Sequence, residues 1–364
     1  MRYTDVCIKL CLFLLVNFFL VGCNTERSAK NGNLVPSRGD SGEILLFMDS
    51  TKWEGELGRA VREVFSARLA GTLREERIFT LRYINPLALN DVLKSHRNII
   101  MVTSLESNSK ETRKLKSFYT EETLKAIEQT DSLFMILKYD QFAKDQVLLF
   151  LFNKTDQGLI KQLHANKERL QEIFNSAEVR RLSQRLYKVK EQTNVGKQVA
   201  QKHNFKIRIP FGYEQVINEQ SEDGKEGFLW HRFLDPEVDK SFFVAYKPYE
   251  SQSQFEKDSI INWRNQICKK YLYGDPANKE SYVVTETLEP PVSKPLMVKG
   301  RYTMETRGLW KTNNISMGGS FVSYVFADNK KGRIYYAEGF VYAPSKMTKR
   351  EYIRELQVIL TSIE

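Results

Sequence analysis

Cysteine is scarce in this 364-residue chain, which has Cys7, Cys11, Cys23 and Cys268 and no others. So few thiols exclude a disulfide-built scaffold. Histidine is as rare: His96, His164, His203 and His231 fall in no H-E-x-x-H or related ligand spacing, and no cysteine cluster supports them. No metal and no cofactor are therefore expected. The G-x-S-x-G nucleophile elbow, the phosphate loop ending in Gly-Lys-Ser/Thr and the G-x-G-x-x-G fingerprint are also missing, which removes the familiar hydrolase, nucleotide and dinucleotide chemistries. Acidic pairs such as Glu75-Glu76 and Glu222-Asp223 lie in expected turns, where solvation accounts for them. Long apolar runs are lacking too, and a mean hydropathy of −0.44 excludes a multi-span membrane protein. No repeat of solenoid period is present.

What remains has the make-up of a globular protein, 41% hydrophobic and 27% charged. Its length suits two domains at about 150 residues each. The longest greasy run, residues 10–21, follows Arg2 and Lys9 and is shorter than the about 20 residues a spanning helix needs. It fits the apolar region of an export signal. The run closes on Leu20-Val21-Gly22-Cys23 and then turns polar at Asn24-Thr25-Glu26-Arg27. That pattern reads as a bacterial lipobox, with Cys23 accepting the lipid. Each buried methylene contributes about 0.8 kcal/mol, so two or three acyl chains hold a protein durably to a bilayer. Residues 1–22 are thus expected to leave as a signal peptide, with residues 23–43, rich in Asn, Ser, Gly and Arg, as a flexible tether. Asn24 supplies no acidic retention signal, so the periplasmic face of the outer membrane is the expected location. Cys268 would be the single cysteine of the processed body and is expected to be a small buried apolar residue.

The body is expected to be α+β: a mixed-sheet N-terminal domain over 44–195 and a C-terminal antiparallel sheet with packed helices over 196–364. In the first, strands are expected at 44–48, 79–84, 98–104, 133–139 and 146–153. Helices are expected at 53–69, at 118–129 with Thr120 as cap, and over 156–192, broken near Asn175-Ser176. In the second, residues 205–209, 213–218, 227–233, 242–246, 282–286, 296–304, 308–311, 320–326 and 333–341 read as strands. Hairpins are expected at Asp223-Gly224 and at 328–332, and helices at 253–271 and 349–362.

The net charge of +10 is not spread evenly. Residues 154–208 carry 13 basic against 5 acidic side chains, which is +8 of the whole. Arg180, Arg181, Arg185, Lys188 and Lys190 are the densest part. One reading is a contact surface for anionic lipid, lipopolysaccharide, glycan or an acidic envelope protein, worth about 1 kcal/mol per side chain at a membrane. The other is a solvated face that keeps the chain soluble. The expected export disfavours nucleic acid as a partner.

Glycines beside aromatics form a third pattern: Arg307-Gly308-Leu309-Trp310, Met317-Gly318-Gly319-Ser320-Phe321 and Glu338-Gly339-Phe340-Val341-Tyr342-Ala343-Pro344. Glycine permits close backbone approach, either to a neighbouring strand or to a ligand. A binding cleft would be edged by Arg307 and Trp310, with Gly318 and Gly319 beside them. Together with Phe228-Leu229-Trp230-His231-Arg232 and Lys349-Arg350-Glu351-Tyr352-Ile353-Arg354-Glu355-Leu356, these segments resemble the lipoprotein family known as domain of unknown function 4837, typical of Bacteroidota envelopes. The resemblance extends over most of the processed chain and is densest in the last hundred or so residues. It implies lipoprotein status and domain extent, and transfers no catalytic residue. The expected function is a lipid-anchored, non-catalytic envelope protein that binds a partner or ligand through its second domain. The alternatives are an envelope hydrolase acting on glycan or peptide, and a lipid- or lipopolysaccharide-handling protein.

Overall fold

The computed structural model describes residues 34–130, 132–275 and 278–364. Cys23 and the run over residues 10–21 lie outside these. By packing, the described residues divide into two units: those up to 64 with 81–167, and residues 65–80 with 168–364. The long basic helix therefore groups with the second unit, as does a sixteen-residue excursion from the N-terminal half.

The first unit is built on β1 (Glu43–Phe47), β2 (Thr80–Ile84), β3 (Asn98–Ser104), β4 (Met135–Tyr139) and β5 (Val147–Asn153). They form one sheet in the order β2-β1-β3-β5-β4. The pairings β1–β3 and β3–β5 are parallel, and β4 runs antiparallel to β5. Every residue of β3 and β5 is buried, as expected of parallel strands covered on both faces. The helices are α1 (Ser50–Glu54), α2 (Glu56–Phe65), α3 (Asp91–Lys94), α4 (Lys110–Lys116), α5 (Glu121–Gln129) and α6 (Asp156–Ala165). Thr120 caps α5 through the Thr123 amide, as the sequence predicts. The helix expected over 53–69 is instead two, separated at Gly55.

The second unit begins its continuous part with α7 (Lys167–Val189) and α8 (Thr193–His203). The break in the helical stretch falls at Asn166, whose φ of −114° and ψ of 17° leave the helical region, and not at Asn175-Ser176. Nine strands follow: β6 (Glu214–Gln220), β7 (Gly227–Leu234), β8 (Asp239–Pro248), β9 (Tyr273–Asp275), β10 (Asn278–Thr285), β11 (Val292–Val298), β12 (Arg301–Thr312), β13 (Gly318–Asp328) and β14 (Arg333–Tyr342). Their order is β6-β7-β8-β14-β13-β12-β10-β9, with β11 paired to β12, and the recorded pairings are antiparallel. The fold is α+β, with the mixed sheet and the antiparallel sheet in the order expected.

Two expectations fail locally. Residues 205–209 alternate like a strand but form none; Lys206 instead exchanges backbone hydrogen bonds with Glu364, and Gln192 donates to Ile209. The strand expected over 296–304 is a hairpin, because Lys299 and Gly300 take φ of +50° and +76° and reverse the chain. Residues expected as two strands, 296–304 and 308–311, are thus the halves of β11 and β12.

Helices cover both faces of the large sheet. One face packs Val322, Tyr324 and Phe326 with Leu356 and Ile359 of α10 (Arg350–Leu360). The other packs Phe321, Val325 and Trp310 with Ile260, Ile267 and Cys268 of α9 (Lys257–Tyr271). Cys268 is buried and free, and burial pushes its thiol up to about 12. Beside it Arg264 is fully buried, donating to both oxygens of Glu338 at 2.8 Å and to Thr285 at 3.0 Å. Tyr336 donates to the same carboxylate at 2.5 Å. Removing either ion would leave an uncompensated buried charge, which typically costs about 3–5 kcal/mol.

Candidate functional site

β12 settles what the glycine-aromatic segments do. Arg307 and Trp310 are three residues apart, so strand alternation sends them to opposite faces of the sheet. Trp310 is buried on the α9 face, edge-on to Phe340 with 5.7 Å between centroids, and its indole N–H donates to the Val341 carbonyl at 3.3 Å. A Cβ on Gly319 would lie 1.9 Å from that carbonyl oxygen, and one on Gly318 would lie 3.0 Å from the Trp310 oxygen. The glycine pair thus serves close strand approach beneath an indole. Arg307 and Trp310 share no cleft, and that part of the expectation is corrected.

Arg307 does line a groove, on the α10 face. Residues 305 and 307 sit on one side of β12, and Glu305 is in register with Tyr324 of β13. The Arg307 Nε donates to Glu305 Oε1 at 2.9 Å, and Tyr324 donates to Oε2 at 2.8 Å. From α10, the Gln357 amide donates to the Tyr324 hydroxyl at 2.9 Å, and Lys294 of β11 brings its ammonium within 3.7 Å of Glu305. Burial alone would raise the Glu305 carboxyl, but the Arg307 guanidinium, the Lys294 charge and the Tyr324 hydroxyl overcome it and hold it down at about 2. The pair's contribution to stability is then complete above the ordinary carboxyl value of 4.5 and is lost as pH falls toward about 2. Burial would lower Arg307, yet Glu305 keeps it raised.

Arg307 is not fully used. Its Nη2 reaches Glu305 only at 3.5 Å, and Nη1 has no protein acceptor among the described residues. The side chain is 16% exposed, and it opens onto a groove of about 720 Å³. The half-buried Leu69, Ile78, Val179, Leu296 and Val298 line the same groove. The volume lies within the about 300–1,000 Å³ usual for small-ligand sites.

The basic segment divides. Arg180, Arg185, Lys188 and Lys190 are exposed on or just beyond α7, whereas Arg181 is buried and donates to Glu178 at 2.8 Å. Four of the five expected contact residues therefore face solvent. Of the histidines, His231 is buried against Phe242, and burial lowers it to about 4. No group of three or more metal-ligating side chains occurs among the described residues.

In the first unit, polar side chains gather at the carboxyl ends of the parallel strands. The Asp49 carboxylate, just beyond β1, caps α1 by accepting from the Thr51 amide at 3.0 Å and also accepts from the hydroxyls of Ser109 at 2.5 Å and Thr112 at 3.1 Å. Burial raises its carboxyl, but those donors outweigh it and set it at about 2. Near neutral pH such a group is a fixed anion, unsuited to donating a proton. The hydroxyls of Ser107, Ser109 and Thr112 that complete its shell come from a segment that meets Asp49 only when β1 and β3 pair.

These features define a two-domain α+β protein whose second domain sets a long antiparallel sheet between helices, with an arginine-edged groove on one face. The model of the family described as Domain of unknown function (DUF4837) matches residues 192–362, within that C-terminal domain. A second model, Domain of unknown function (DUF8532), matches residues 37–187. The first family thus spans the C-terminal domain and not most of the chain, and all the segments that carried the resemblance fall inside it. No curated protein matches the chain.

Proposed function

We propose that this chain is a lipid-anchored bacterial envelope protein, at the periplasmic face of the outer membrane, which binds a ligand or partner through its C-terminal domain without catalysing a reaction on it. The observation that carries the binding reading is the Arg307 groove, where a guanidinium with an unused donor edge opens among aliphatic side chains. Its buried carboxylate, Glu305, is committed to Arg307 and Tyr324. It therefore supplies neither the free acid nor the base that hydrolysis of a glycan or peptide would need. The anchor reading rests on the sequence around Cys23.

Two measurements test the two halves. Cys23→Ala should release the protein from membranes or leave an unprocessed precursor; a processed, membrane-bound variant would refute the anchor. A photo-crosslinking residue at Met297, which is 64% exposed on the groove wall, should capture one defined species in living cells. Capture only from the sheet's opposite face, or from neither face, would remove the groove as the binding site.

A further inference from the structure

We infer that the Arg307 groove takes an anionic amphiphile: one phosphate or carboxylate group carried on an aliphatic chain, a reading that rests on ligand binding by the C-terminal domain. Both halves of that ligand are written in the lining. The anion's place is set by Arg307, whose Nη1 lacks a protein acceptor, and by Lys294, whose side chain is 64% exposed. A planar guanidinium is suited to oxyanions because it offers two parallel donors. The ion pair with Glu305 leaves Arg307 oriented but not spent, since Nε alone makes a bond of normal length. The groove's lining holds six basic against three acidic side chains, and Glu351, just outside it, pairs with Arg350 and Arg354. The groove is therefore matched in charge to an anion rather than to a cation or a neutral sugar.

The chain's place is set by Leu69, Ile78, Val179, Leu296 and Val298. Each is half-buried, and each gives apolar surface that an alkyl chain would cover at about 25 cal/mol per Å². A polar ligand would leave this wall wet, and a neutral hydrocarbon would desolvate the Arg307 Nη1 without giving it an acceptor, which is costly. Only a molecule with both parts satisfies the lining.

The test uses the full chain and four probes below their micelle concentrations: dodecyl phosphate, dodecanoate, dodecanol and inorganic phosphate, with affinities measured by titration calorimetry. Dodecyl phosphate or dodecanoate should bind at least tenfold more tightly than dodecanol and than inorganic phosphate. The better of the two identifies the source as a lipid phosphate or a fatty acid. Arg307→Gln should weaken binding at least tenfold. Because that change strands Glu305, Lys294→Gln serves as a second variant on an exposed side chain, expected to weaken binding about fivefold with the folded structure retained. Lys330→Glu, in the β13–β14 turn, is the control and should leave affinity unchanged. Dodecanol binding as tightly as dodecyl phosphate would overturn the anion half, and inorganic phosphate binding as tightly would overturn the chain half. Affinity indifferent to both groove variants, or no binding by any probe, would overturn the whole. If the probes fail while Met297 still captures a cellular species, the ligand class is wrong and the binding reading stands.

Discussion

At the scale of single residues, the glycine-aromatic grammar of the sequence had two readings, and side-chain volume separates them. Gly319 cannot accept a Cβ, because the Val341 carbonyl occupies that position and the Trp310 indole lies 2.9 Å from it. Gly319→Ala should therefore lower the stability of the folded chain by about 1–3 kcal/mol through forced displacement of β13 from β14. Urea unfolding would show this as an earlier midpoint with an unchanged slope; an unmoved midpoint would mean that the strands part without cost. Arg307 shows the opposite limit of legibility. Its importance was readable from its place beside Gly308, but its neighbours Glu305, Tyr324 and Gln357 come from three elements that only the fold assembles. Trp310 lies three residues further along β12 and so on the opposite face, which sequence proximity alone does not show.

At the scale of elements, periodicity located β3, β5 and β14 almost residue for residue, since strands with long buried stretches carry dense apolar signals. It failed where the backbone itself decides. The turn at Lys299-Gly300 is made by two positive φ angles, +50° and +76°, which side-chain periodicity does not encode, so β11 and β12 merge in a reading by pattern alone. The helix α10 shows how one element can depend on a remote one. Lys349 supplies no side-chain cap. The Glu76 carboxylate does so instead, accepting from the Lys349 amide at 2.8 and 2.9 Å and from the Arg350 amide at 2.9 Å. An anion there also complements the helix dipole. Glu76→Ala should destabilise the protein by about 1–2 kcal/mol, and Glu76→Gln should recover part of that loss by keeping an acceptor. Calorimetric melting of the three proteins would check the order; equal melting temperatures would show that water caps the helix as well. In the sequence, Glu75-Glu76 looked like a solvated turn, and no local signal reveals that its partner lies 273 positions away.

At the scale of the whole molecule, two domains and an α+β class were legible, because composition, length and the change of pattern after residue 200 all bear on them. The packing of residues 65–80 was not. Residues 65–80 pack with the second unit, where Phe65 and Phe79 meet Phe174 edge-on at 5.8 and 6.0 Å. Residues 168–364 produced alone should accordingly melt lower than the full chain, and adding a peptide of residues 65–80 should raise the transition. A fragment as stable as its counterpart in the full chain would show the excursion to be dispensable. The excursion also sets a clock. Glu76 leaves the ribosome 273 residues before Lys349, so at about 5–20 residues per second the acidic side chain waits roughly 14–55 s for the helix it caps. During that interval the amides of Lys349 and Arg350 are not yet there to engage the Glu76 carboxylate, so the second unit lacks the helix that this contact caps.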